Sequence, residues 1–185
     1  MGYNTQFRGR FDLDKKLTQT HAAYLQQFAY VRHIVRDAEI AGKMPDPIRE
    51  AVGLPIGFEG MYFTGSSGHC GPDKDPYKDP SIIDYNSPPN RIPSLWCHWI
   101  PTEDLRGIAF DEETGKFYNY VEWIEFIIEH FLKPWGYVLN GEVQWVGEDV
   151  FDDRGTIIVE NNVIQVKTSL LCSVLSYRLV KILKA

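Results

Sequence analysis

Little in this sequence speaks for a disulfide, zinc or redox framework. Its 185 residues hold three cysteines, Cys70, Cys97 and Cys172, odd in number, widely spaced and without a C-x-x-C pair. Free thiols in a reducing, cytoplasmic compartment are the expectation. The opening Met1 to Arg10 is polar and lacks the apolar core of a secretory signal. No apolar run approaches the roughly 18 residues of a membrane span, since Arg178 and Lys181 interrupt the apolar stretch Leu170 to Leu183. A basic excess is missing as well: 19 Lys and Arg stand against 25 Asp and Glu, a net charge of −6. Neither a membrane nor direct contact with nucleic acid is therefore expected.

Metal and nucleotide signatures are equally scarce. The five histidines (His21, His33, His69, His98, His130) form no H-x-H or H-E-x-x-H motif. The glycine-rich run Gly65 to Gly71 is not followed by the lysine a phosphate-cradling loop needs. Asp73, Asp75, Asp79 and Asp84 miss the calcium-loop pattern, because Lys78 and Asp84 stand where Gly and Glu are required. No metal and no cofactor is expected, and no catalytic set stands out. Cys97 and His98 are adjacent, and neighbours on a strand point to opposite faces, so they do not form a dyad with each other.

Aromatic residues are abundant, at 14%. Thr5 to Leu13 alternates apolar and polar residues, the period of a half-buried strand. Thr18 then caps a helix expected over Gln19 to Ala41, where Tyr24, Phe28, Val31, Val35 and Ala38 form one stripe. Asp46 and Pro47 start a short helix ending near Val52. A long irregular connection, Gly53 to Pro93, follows, with a short strand conceivable at Gly60 to Thr64. Ser94 to Ile100, apolar on both faces, reads as a central strand, and Arg106 to Asp111 is placed to pair with it.

Asn119 with Glu122 has capping-box spacing for a helix over Tyr120 to Leu132. Tyr137 to Val146, Gly155 to Glu160 and Val163 to Lys167 read as strands, the last two joined through Asn161-Asn162. This order implies an α+β two-layer sandwich: an antiparallel sheet, two main helices on one face, a ferredoxin-like βαββαβ arrangement and a terminal hairpin. One domain over 1–167, with 53–93 inserted and 168–185 as a tail, is the expected organisation.

Two stretches carry a resemblance. They are MGYNTQFRGRFDLD, Met1 to Asp14, and FYNYVEWIEFIIEHFLKPWGYVLNGEVQWVGED, Phe117 to Asp149. With DYNSPP, Asp84 to Pro89, and LWCHW, Leu95 to Trp99, they resemble small uncharacterised proteins of tailed phages and bacteria. The likeness runs from residue 1 to about residue 167 and brings no assigned reaction. A phage setting implies an accessory role, such as inhibition of a host defence complex.

The residues themselves favour a non-enzymatic protein-binding accessory protein. Arg32 and Arg36, four apart on the expected helix, would share a face and meet phosphate or a partner's carboxylates; a solvated polar face is the competing reading. Tyr77 and Tyr85 belong to the aromatic surplus of the long connection, beside Asp84, and His98 sits on the expected central strand. Asp149 and Asp153 belong to an acidic cluster suited to occluding a basic nucleic-acid groove of a defence complex; solvated turns compete with that. Most of the five tryptophans are assigned to the core, one or two being candidate binding anchors. The alternative is a small enzyme for a nucleotide or phosphate-containing substrate, sited beneath residues 53–93 and using Arg32, Arg36, Asp84, Tyr85 and His98.

Overall fold

Along Thr5–Leu13 (β1), Thr5, Phe7, Phe11 and Leu13 are buried while Gln6, Arg8, Arg10 and Asp12 face water. That alternation gives one strand two faces. The strand lies inside a six-stranded antiparallel sheet in a computed structural model that describes residues 3–65, 79–114, 116–148 and 153–168. The remaining elements are α1 (Gln19–Tyr30), β2 (Val35–Arg36), α2 (Ala38–Ala41), α3 (Pro47–Ala51), β3 (Ile82–Asp84), β4 (Trp99–Pro101), β5 (Gly107–Phe110), α4 (Tyr120–Ile127), β6 (Leu139–Gly147), β7 (Arg154–Glu160) and β8 (Val163–Thr168). The large sheet runs β4-β5-β1-β6-β7-β8, and β2 and β3 form a small separate sheet. The architecture is mixed α+β.

The buried face of the sheet carries Phe7, Phe11, Trp99, Ile108, Val143, Trp145 and Ile157. α1 and α4 cover it. Phe28 of α1 meets Trp123 and Phe126 of α4 with ring centroids 6.0 and 5.9 Å apart, and Tyr120 of α4 meets Phe7 at 5.1 Å. Trp99 and Trp123 are fully buried, and their indole N–H groups donate to the Tyr120 carbonyl and Ser94 Oγ, each at 2.8 Å. Those bonds remove the penalty a buried N–H would otherwise carry. Truncating either ring to alanine is worth about 3–5 kcal/mol of stability.

Several elements lie where the sequence puts them. Thr18 Oγ1 accepts the His21 N–H (3.1 Å) and opens α1, and Asp46 Oδ1 accepts the Arg49 N–H (3.2 Å) and opens α3. Asn161 and Asn162 take φ of 50° and 64°, the pair of positive values a tight two-residue hairpin turn requires, between β7 and β8. Gly9, in the middle of β1, has φ of 104°, and a Cβ there would stand 2.7 Å from the Glu142 carbonyl oxygen of β6. Only glycine fits that approach.

Four expectations are corrected. The first helix stops at Tyr30 rather than Ala41. Val31 is extended (φ −83°, ψ 141°), and buried Val31, His33 and Ile34 continue into β2, which pairs with β3. Asp37 starts a separate helix, its Oδ1 accepting the Glu39 and Ile40 N–H groups. Arg32 and Arg36 therefore share no helix face.

The strand expected over Ser94 to Ile100 is reduced to Trp99–Pro101 and lies at the edge of the sheet. The preceding backbone serves other partners, the Leu95 carbonyl accepting the His33 N–H at 2.9 Å. Gly60 to Thr64 forms no strand; a 3-10 turn at Phe58–Gly60 leads into irregular chain that buries Met61 and Phe63.

The capping box is not made either. Asn119 adopts φ 56° and makes no side-chain cap; its amide donates to the Pro93 carbonyl instead. α4 then loosens into a π turn at Ile128–Leu132 before the chain reverses.

The connection 53–93 is held to the body where it is described. Tyr62 Oη lies 2.8 Å from His130 Nδ1, and Asp46 accepts both the Thr64 N–H (2.8 Å) and the Thr64 hydroxyl (2.7 Å). Among the described residues, no helix is long and apolar enough to cross a membrane.

Candidate binding groove

Four separate segments meet where β1 begins. Asn4 precedes the strand, Ala29 and Tyr30 end α1, residues 86–96 approach the first β-strand of the edge pair, and Thr114, Lys116 and Tyr118 lie between β5 and α4. They enclose an open groove of about 1000 Å³. Tyr30, Leu95, Trp96 and Tyr118 form much of its apolar wall, and Tyr30 and Tyr118 are 44% and 52% exposed. A volume at the upper end of the small-molecule range, open along one side, suits an extended segment as well as a compact ligand.

Two polar side chains of the groove, Ser94 and His98, are already engaged. Ser94 Oγ accepts from Trp123 Nε1 (2.8 Å) and donates to the Trp96 carbonyl (3.1 Å). His98 packs edge-on against Phe117 (5.1 Å). Burial lowers its pKa, against the opposing pull of Asp111 and a hydrogen bond to the Lys116 backbone, so the ring is neutral at neutral pH. Tyr30 is pushed up by burial first, then by Asp111 and Glu113. Cys97 lies in the core, on the other side from His98, and burial pushes its thiol up to about 12. A thiol held that high is a poor nucleophile.

Arg32 stands at the Trp96 edge of the groove. Its guanidinium carbon lies 4.5 Å over the Tyr85 ring and 5.7 Å from the Trp96 ring, and its Nε donates to the Tyr85 carbonyl at 3.2 Å. Of the residues singled out from sequence, Arg32, Tyr85 and His98 thus gather at or beside one groove.

The rest are elsewhere. Arg36 is buried over the Phe63 ring (4.2 Å) and donates to Asp79 Oδ2 and Ser81 Oγ, each at 2.6 Å. Asp84 is partly buried, and the Ser87 hydroxyl, followed by the Asn86 N–H of its own turn at 2.8 Å, lowers its pKa. Asp153 holds the sheet end together, accepting from Tyr3 Oη (2.7 Å) and Trp145 Nε1 (3.1 Å). Tyr77 and Asp149 lie outside the described residues, as do most of the glycine-rich run, Asp73, Asp75, Cys70 and the tail from residue 169. The five residues proposed for an enzyme do not converge: Arg36 is committed to Asp79 and Ser81, apart from the Arg32–Tyr85 stack.

Sequence reasoning did not single out Tyr30, Lys116 or Tyr118 as functional. The available signal was the pattern F-Y-N-Y at 117–120, in which buried Phe117 forces its neighbour Tyr118 outward.

A second depression of about 420 Å³ runs along α4, between Arg91 and Glu122, Glu125, Glu129 and His130. Glu129 is paired there with Lys133. Among the described residues, no group of three or more His, Cys, Asp or Glu side chains is arranged to hold a metal ion.

No known family model matches this chain, and comparison with curated proteins and with solved structures finds no match to either.

Proposed function

We propose that this chain is a non-enzymatic protein-binding module that takes an apolar segment of a partner protein into the groove walled by Tyr30, Trp96 and Tyr118. The observation that carries the reading is an open, mainly apolar groove whose tyrosine walls, Tyr30 and Tyr118, remain half exposed while its serine and histidine are tied into the fold. Exposed aromatic side chains held on a rigid body are the usual anchors of interfaces, each worth about 2 kcal/mol or more when desolvated.

The strand order β4-β5-β1-β6, with α1 after β1 and α4 after β5, supports a ferredoxin-like unit extended by the β7-β8 hairpin. Such a unit leaves one face of the sheet uncovered by α1 and α4, carrying Arg8, Arg10, Glu142 and Gln144 beside Val146 and Ile158.

The test compares capture from the native cell by the full chain, by Tyr118→Ser and Tyr30→Ser variants, and by Gln144→Ala on the open sheet face. A partner lost more than tenfold with the groove variants and retained with Gln144→Ala is the expected result. Capture unaffected by the groove variants, or lost equally with Gln144→Ala, overturns the proposal.

A further inference from the structure

The groove has a charge preference that its apolar walls alone do not give. The chain carries −6 overall, yet Lys116 is the sole formally charged residue among the described groove-lining residues. Arg32 adds a second positive group at the Trp96 edge. Its Nε is engaged by the Tyr85 carbonyl and its plane is fixed by the Tyr85 ring. No hydrogen bond or ion pair to either Nη occurs among the described residues. Every other arginine with a described carboxylate neighbour, Arg10, Arg36 and Arg49, is salt-bridged within 3.5 Å. Asp111 and Glu113 act on Tyr30 from the other side of the groove; Asp111 is 5% exposed and accepts the Glu113 N–H at 3.1 Å, and among the described residues neither is ion-paired with Arg32.

A guanidinium whose Nε and face are already held has lost much of its rotational freedom before any ligand arrives. Its two Nη groups form a pre-set fork, the geometry that accepts a carboxylate through two parallel hydrogen bonds. Aromatic stacking fixes the fork without cancelling its charge. The body of the occupant must be apolar to cover Tyr30 and Tyr118, and one of its ends must be anionic to meet Arg32.

Resting on the protein-binding reading, we infer that the groove recognises an acidic-aromatic peptide segment. An aromatic side chain lies against Tyr30 and Tyr118, and an Asp or Glu carboxylate of the same segment is clamped by Arg32. The strong exposure of the groove and its four-segment lining favour a peptide over a closed-in small ligand.

Three probes separate the possibilities, each titrated into the full ¹⁵N-labelled chain: acetyl-Trp-Asp-amide, acetyl-Trp-Asn-amide and adenosine monophosphate. The acidic dipeptide is expected to bind about fivefold to tenfold more tightly than its amide twin, an ion-pair-sized difference, with shifts at Tyr30, Trp96 and Tyr118. In Arg32→Gln the two dipeptides become equal. In Arg32→Lys, which keeps charge but not the fork, a reduced preference remains, and this variant carries the test where Arg32→Gln does not fold. Equal affinities for the two dipeptides in the unaltered chain overturn the carboxylate assignment while leaving an apolar groove. Absence of groove shifts with either dipeptide overturns both the assignment and the protein-binding reading. Tighter binding of adenosine monophosphate than of the acidic dipeptide overturns the peptide assignment in favour of a nucleotide.

Discussion

His33 makes the fold acid-sensitive, and the size of the effect can be worked out from its surroundings. The ring is 4% exposed, with Phe28 and Trp123 ring centroids at 4.4 and 5.0 Å, and its Nε2 has no hydrogen-bond partner. Burial pushes its pKa down to about 3, outweighing a hydrogen bond to the Phe28 backbone that favours the proton; the nearby His98 lowers it further. In the unfolded chain the same ring titrates near 6.5.

Between these values the unfolded state binds a proton that the folded state refuses, so stability rises with pH across that window. The contribution is complete above about pH 6.5 and is lost as pH falls toward about 3. From pH 7 to pH 5 the loss attributable to His33 is about 2 kcal/mol. For a chain of this size that is about 4–8 °C in melting temperature.

The assay is a pair of urea melts at pH 7 and pH 5, for the unaltered chain and for His33→Phe. Burial also lowers the pKa of His21, His98 and His130. Those rings act in both chains, and the difference between the two pH dependences isolates His33. Equal losses in both chains, or an NMR titration that places the His33 midpoint above pH 5, would refute the reasoning.

Two further outcomes follow from buried groups. Asp46 is 1% exposed and accepts from the Arg49 N–H, the Thr64 N–H and the Thr64 hydroxyl; Arg49 Nε stands 3.3 Å away as an ion pair without hydrogen-bond alignment. Asp46→Ala leaves Arg49 only its more exposed partner Glu50 and removes the acceptor for the Arg49 and Thr64 donors, and is expected to lower stability by about 3–5 kcal/mol in a chemical melt, with Asp46→Asn milder; a loss under 1 kcal/mol would contradict the network. With Cys70 and Cys172 replaced by serine, the remaining thiol, Cys97, is expected to resist an aromatic disulfide reagent at pH 8 and to react fully in urea. Rapid reaction of the folded chain would mean that the thiol is not sealed in the core.

What the sequence revealed depended on how local the determining contacts are. The alternation in Thr5–Leu13, the caps Thr18 and Asp46, and the Asn161-Asn162 turn act within a few residues, and those elements lie where their patterns put them. The overlong first helix shows the opposite case. Its apolar stripe runs on past Tyr30 with the right period, yet Val35 is claimed by Asp84, far along the chain. β-Branched Val31, Ile34 and Val35 tolerate that extended path well, and tertiary pairing overrides the period.

The groove is harder still to read in advance. Asn4, Tyr30, Trp96 and Tyr118 come from four distant segments, and no local pattern announces that they meet. Arg32 was found from sequence for a mistaken reason, a shared helix face with Arg36, while its actual setting is the stack on Tyr85.

The position of β1 governs how this chain can be assembled on the ribosome. Its apolar face is made before its partners, since β5 begins at Gly107 and β6 at Leu139. β6 emerges roughly 130 residues later, on the order of 10–30 s at ordinary translation rates. Until β5 is made β1 has no strand beside it, and until β6 is made one of its edges stays open. Any local hairpin elsewhere in the chain can form sooner, since closing the β1–β6 pair demands most of the polypeptide. A nascent chain halted before residue 139 has β5 at most beside β1, and the long edge of β1 that β6 covers stays open, a natural substrate for chaperones.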